Sequence, residues 1–224
     1  MLITLVIIGV IAALTIPNLL QKYQEQATVK KVQKFYSNLS NAYLLATREN
    51  GSIDGWGLTG FNIESGKKIY EILFKPYFKI AKDCGGYNTD KCFSNSTKWL
   101  NNTAGGGQTD LDIYKITLDD GSSVAWISEG TAEYAERRLI SIRYDVNGIK
   151  GPNQWGKDFF EFSIVSDMQR PQPYGFPPNI GGGTRYNFNT YCQKNSDTNY
   201  SGRGCAAWVI YKGNMDYLHK NIQW

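Results

Sequence analysis

At 224 residues the chain accommodates one ordinary domain plus an extra element, and it is too short for two large domains with separate cores. Its formal net charge of +4 comes from 24 Lys/Arg and 20 Asp/Glu spread along the sequence, without the basic block that binding to nucleic acid usually needs, so no nucleic-acid partner is expected. Six Trp, fifteen Tyr and ten Phe supply large apolar groups suited to a β-containing core, and 23 Gly supply turns.

The chain opens with MLITLVIIGVIAALTI, which carries no charge, and apolar character resumes after Pro17-Asn18 at Leu19-Leu20. A helix needs about 20 apolar residues to cross the hydrocarbon layer, so residues 1–20 stand at that threshold. A cleaved secretory segment would show a basic start and a small-residue cleavage site, and neither occurs in the usual form. A buried core helix would show a polar face, which this run lacks. The expectation is therefore a transmembrane helix over 1–20. From 21 to 50 apolar residues recur at Val29, Val32, Phe35, Leu39, Ala42 or Tyr43, and Ala46. These steps of three and four predict an amphipathic continuation of the same helix. Pro17 removes one backbone hydrogen bond and should kink it, and Gly51 should end it.

The run MLITLVIIGVIAALTIPNLL, with Gly9, Ala12-Ala13 and Ile16-Pro17-Asn18-Leu19-Leu20, resembles the N-terminal helix of type IV pilins and type II secretion pseudopilins. In that family a basic leader is removed by prepilin peptidase before a methylated Phe, and a Glu follows shortly after. Aligned on Pro17, that Glu would fall directly before Met1, so the resemblance implies that leader, cleavage site and Glu lie upstream. Lys22, Lys30, Lys31 and Lys34 taken alone would place the C-terminal part inside, whereas the resemblance implies a single-pass protein of the inner membrane with its head exported. It also implies assembly through Gly9, Ala12, Ala13 and Pro17 with other pilin or pseudopilin subunits. The implied partners further include the inner-membrane assembly platform, prepilin peptidase acting on the precursor, and the lipid bilayer.

Residues 51–224 predict an α+β head. The stretch 65–82 suggests a second helix or pair of turns with Ile69, Ile72, Leu73 and Phe78 on one side, interrupted by Pro76. Strands are expected at Tyr114–Leu118, Ser123–Ile127, Leu139–Asp145 and Phe159–Val165, with Asp119-Asp120-Gly121 as a hairpin turn. An antiparallel sheet packed on the long helix would cover its apolar stripe, which is also the pilin architecture. The closing segment CAAWVIYKGNMDYL reads as a final strand and tail. Pairing neighbouring cysteines, Cys84 with Cys92 and Cys192 with Cys205, is the simplest of three connectivities, and the long loops they close need stapling. Zinc is not expected, since the spacing is wide and the only His is His219.

Two further segments bear on function. DVNGIKGPNQWGKDFFEF, residues 145–162, resembles a glycine-rich loop between two strands in pseudopilin-like proteins, some of which bind calcium. Asp145, Asn147 and Asp158, with carbonyls at Gly148, Gly151 and Gly156, are candidate ligands for Ca²⁺. The same residues also suit a plain turn network, and both readings stand. Residues 166–204, rich in Pro, Asn, Gly and Tyr, form a candidate binding surface, and the aromatic residues Trp155, Tyr174, Phe176, Tyr186 and Tyr191 in polar loops either stack on sugars or pack beneath those loops. No nucleophile, P-loop or dinucleotide motif is present, so the chain is expected to be a structural subunit rather than an enzyme. The alternative is a membrane-anchored adhesin or ligand-binding tip subunit on the same anchor.

Overall fold

The computed structural model describes residues 2–86, 92–94, 96–105, 113–129, 139–166, 168–175 and 186–224, with side chains in the first helix from Gly9 onward. Helix α1, Leu2–Asn50, runs unbroken through Pro17. The Asn18 amide donates to the Leu14 carbonyl at 3.3 Å, and the Thr15 hydroxyl donates to that of Ile11. Gly51, at φ +75°, ends the helix as expected, in a conformation that costs glycine nothing.

The predicted stripe is the one that is buried: Val29, Val32, Phe35, Leu39, Ala42, Tyr43 and Ala46 all enter the main core. They pack on a six-stranded antiparallel meander in simple order, β1 Ile80–Gly85, β2 Tyr114–Leu118, β3 Ser123–Glu129, β4 Leu139–Asp145, β5 Phe159–Val165 and β6 Gln172–Pro173. Alternation sorts the strand residues. Ile116, Val124, Trp126, Ile142, Tyr144, Phe160 and Phe162 share the core with α1, and Phe35 stacks on Tyr144 with ring centres 4.1 Å apart. The opposite face carries Ala125, Ile127 and Phe159, covered by a second cluster that includes Cys84, Cys92, Trp99 and Trp155.

The stretch 65–82, expected as a second helix or pair of turns, holds a short helix and one wide turn before Pro76. Helix α2, Ile63–Ile69, is capped by the Asn62 side chain and widens into a single turn over Tyr70–Phe74, where the Lys75 amide bonds back five residues to Tyr70. The chain then becomes the edge strand β1. Ile69 and Leu73 are buried, with Ile72 and Phe78 packed against them. The closing segment is helical, not a strand. After the short α3, Phe188–Tyr191, and a tight turn at Arg203–Cys205, α4 spans Ala206–Lys212 beside α1. Its paired alanines, both fully buried, permit a close approach that the β-branched Val209-Ile210 concealed. Met215 and Tyr217 return to the core after it.

The cysteines pair as Cys84–Cys92 and Cys192–Cys205. Among the described residues no helix is long and apolar enough to cross a membrane. The side chains of residues 1–8, half of the apolar run on which the transmembrane expectation rests, lie outside those described.

Candidate functional site

Two regions hold the residues singled out by sequence. The first is the free end of α1. Core contacts begin at Val29, and below it Val10, Ile11, Leu14, Ile16, Leu19, Leu20 and Tyr23 are all exposed, Leu19 by 71 %. Gly9 and Ala13 are exposed and Ala12 half-buried, with nothing within 4 Å of where a Cβ on Gly9 would stand. At the junction with the head, Glu25 accepts from the Gln21 amide at 3.0 Å and lies 2.9 Å from His219 Nε2. The single histidine thus ties the C-terminal turn to α1.

The second is the loop joining β4 to β5, which brings Asp145, Asn147 and Asp158 together as the sequence suggested. The ends are closed by the Val146 amide donating to the Asp158 carbonyl at 2.9 Å. Asp145 Oδ1 accepts from the amides of Asn147 and Gly148 at 3.2 and 3.1 Å. Asp158 accepts from the amides of Asn153 and Gln154 and from Asn147 Nδ2. Gly148 is required: at φ +62° a Cβ would stand 2.6 Å from the Gly121 carbonyl of the β2–β3 turn. Of the other carbonyls proposed from sequence, that of Gly151 accepts from Asn147 Nδ2 and that of Gly156 from the Tyr217 hydroxyl at 2.7 Å.

Asp145 is fully buried and Asp158 nearly so. Burial, then the neighbouring Asp158 charge, pushes the Asp145 carboxyl up to about 8 against two hydrogen bonds that lower it. Burial likewise raises Asp158, opposed by its bonds to Gln154, Asn153 and Asn147. Among the described residues there is no group of three His, Cys, Asp or Glu able to hold a metal, so any ion here would rest on two carboxylates and neutral oxygens. That all-oxygen set fits a hard cation such as calcium. The one unsatisfied oxygen in the loop, buried Asn147 Oδ1, fits it too. An open cleft of about 600 Å³, lined by Glu25, Lys31, Gly151, Pro152, Lys157 and Asp158 among others, leads to the loop from the α1 side.

Of the aromatic residues considered for sugar stacking, three are turned inward and Tyr191 is half-buried against the Tyr186 ring. Trp155, Tyr174 and Tyr186 are buried around Arg203, whose guanidinium lies 4.0 Å from the centre of the Tyr186 ring; Phe176 lies outside the described residues. Sequence reasoning missed the centre of this group. Arg203 makes a bidentate contact with Glu161, which also accepts from the Ser141 hydroxyl at 2.7 Å and stands 3.6 Å from Arg143 Nε. A lone Glu inside FFEFSIV was the available signal. Burial alone would raise the Glu161 carboxyl, but Arg203, Arg143 and Ser141 hold it below the usual carboxylate range.

A profile of a family of unknown function, DUF6613, matches residues 18–221, beginning just after Pro17 and so leaving out the apolar run. No curated protein and no solved structure matches the chain.

Proposed function

We propose that this chain, which belongs to the DUF6613 family, is a structural subunit of a filament of the type IV pilus or type II secretion pseudopilus kind, held in the membrane and assembled through its N-terminal helix. The observation that carries this reading is the contrast within α1. Its second half is buried in the head, and its first half projects with Val10, Ile11, Leu14, Ile16, Leu19 and Leu20 exposed. Covering six such side chains is worth on the order of 5–10 kcal/mol, too much to leave in water on a protein whose net stability is of that size.

Lipid covers the segment before assembly and the same segment of other copies covers it afterwards. Gly9, Ala12 and Ala13 let backbones approach closely in the second state. An α+β head with a meander clasping the amphipathic half, stapled by two disulfides, suits an exported subunit. The sequence resemblance described above supports the same reading.

The test is to express the gene with the codons upstream of Met1, with and without prepilin peptidase, and read the mature N-terminus by mass spectrometry. A parallel Ala13→Cys copy is then oxidised in isolated filaments. Cleavage before a Phe upstream of Met1, with disulfide-linked dimers in the filament fraction, is the expected result. An uncleaved chain that fractionates with soluble protein would overturn the reading, and a tagged copy found only at filament tips by immuno-electron microscopy would move the chain to a minor subunit.

A further inference from the structure

The β4–β5 loop hangs beside α1 toward its apolar half. Its base is tied where the Lys31 ammonium donates to the Val146 carbonyl at 3.3 Å. The cleft between loop and helix is walled on one side from Lys31 down to Gln21 and on the other by residues that include Gly151 and Pro152, so it ends one residue from Leu20. Ile149, Lys150, Gly151 and Pro152 are consecutively exposed at the loop's tip, Ile149 by 56 %. That large apolar side chain stands in water near the stretch of α1 where Leu19, Leu20 and Tyr23 are also exposed.

The charges around this tip are unequal. Lys22 on the helix and Lys150 and Lys157 on the loop are exposed. The carboxylates beside them are occupied or hidden: Glu25 faces His219 at 2.9 Å, Asp216 accepts from Lys220 at 3.2 Å, and Asp145 and Asp158 are buried in the loop. An apolar tip flanked by lysines, near an exposed tyrosine just past an apolar helical run, suits the headgroup layer of an anionic bilayer, where aromatic side chains collect and basic ones are attracted.

We propose that the tip of the β4–β5 loop is a second membrane contact of this chain. Ile149 enters the boundary between headgroups and acyl chains, and Lys22, Lys150 and Lys157 meet the phosphates of anionic phospholipids. The inference rests on the membrane reading of α1 and adds to it a surface of the head. The occupant is a bilayer because the loop's cleft ends where the apolar run of α1 ends, and because acidic headgroups supply the counter-charge to the exposed lysines. Each lysine at such a surface strengthens the contact about fivefold at low salt, an effect that salt screens. A helix alone leaves the head free to turn about the membrane normal. The second point of attachment fixes that rotation, so every copy waiting in the membrane presents the same face of α1 to its neighbours.

The four cysteines are paired, so Gly151→Cys, where a Cβ meets nothing within 4 Å, gives the full chain one free thiol for a polarity-sensitive fluorophore. The labelled chain is reconstituted into vesicles of phosphatidylcholine, alone or mixed with phosphatidylglycerol, and recovered by flotation. Expected are flotation with both, and blue-shifted emission quenched by nitroxide lipid in the anionic vesicles. The same label on Phe61→Cys, exposed beyond the Asn50 end of α1, should stay water-like. Ile149→Ser, Lys150→Glu/Lys157→Glu or about 1 M NaCl should each lower the ratio of bilayer-bound to free label at least about fivefold. A water-like label at 151 in floated anionic vesicles would overturn the loop contact and leave the anchoring by α1 standing. A chain that floats with neither vesicle would overturn both. Equal quenching in neutral and anionic vesicles, or in the charge-reversed variant and the parent, would overturn anionic headgroups as the partner, and Ile149→Ser equal to the parent would overturn the role of Ile149.

Discussion

Replacing Glu161 by Gln tests the buried ion pair of the head. The side chain is fully buried on β5, and the change keeps its shape while removing its charge. Arg203, 8 % exposed, then loses its bidentate partner, and Arg143, across the strand pair from Glu161, loses its counter-charge. Breaking such a pair from one side costs about 3–5 kcal/mol, because the remaining charge stays buried. The rings around Arg203, Tyr186 nearest, retain some attraction to the cation, so the expected loss is near the lower end, about 3 kcal/mol, or about 6–12 °C in Tm for a chain of this size. The assay is urea unfolding of the full chain in detergent, with both disulfides intact, followed by tryptophan fluorescence. The double variant Glu161→Gln/Arg203→Met removes both buried partners and leaves Arg143, whose side chain is already partly exposed; it should recover most of the loss. A single-variant loss below about 1 kcal/mol, or a double variant no better than the single, would refute the claim that this pair is desolvated.

Three other outcomes are expected. Phe35→Ala, which empties the space between α1, Tyr144 and Phe162, should cost about 3–5 kcal/mol in the same assay; a loss under 1 kcal/mol would mean that the helix does not seat on the sheet. The Cys192→Ala/Cys205→Ala variant opens a 13-residue separation and should lose about 3 kcal/mol in urea, and a midpoint unchanged from the parent would count against a formed bridge. The pH dependence has two limbs. Glu161 has a lowered folded pKa, so its contribution is complete above the ordinary value of 4.5 and is lost as pH falls through the folded value. Asp145 is raised from 3.8 to about 8, so the folded chain holds a proton that the unfolded chain releases, and stability falls as pH rises across that interval. In EDTA the Tm should therefore decline from about pH 5 to about pH 8, and Asp145→Asn should flatten the decline; a parent Tm that rises over this range would sink the assignment.

What could be read in the sequence is what repeats locally. The α1 stripe follows a helical period over seven buried positions, and β2 to β5 alternate between marked turns, so both were legible. Strand β1 was not, because IAKDCG is an exposed and bulged edge that follows directly on a helical pattern, and β6 is two residues long. Helix α4 was misread because Val-Ile favours strands in isolation, and only its position beside α1 selects a helix. Within the loop, Asp145, Asn147 and Asp158 were legible since they flank one short connection. Asn153 was not, for it joins the network through its backbone amide to Asp158 from a left-handed conformation at φ +47° that no local pattern marks.

The Glu161 pair illustrates why the remaining gap matters for function. Across the back of the sheet Lys115, Ala125, Arg143 and Glu161 stand in one register row, which by alternation alone would face water. Lys115 and Glu161 are instead buried: Arg203 reaches Glu161 from its turn, and the cluster of Cys84, Cys92, Trp99 and Trp155 packs on Ala125 in the same row. The residues around Cys84, Cys92, Trp99 and Trp155 are therefore committed to the back of the sheet, and residues 29–46 of α1 share the core on the front, where α4, Met215 and Tyr217 also pack. Both large apolar faces of the head are consumed internally. No described element lies over the side chains from Val10 to Leu20, and folding leaves no second sheet face on which they could bend back. The apolar half of α1 finds no cover among the described residues, and under the proposed function lipid, followed by other copies of the same helix, would supply it.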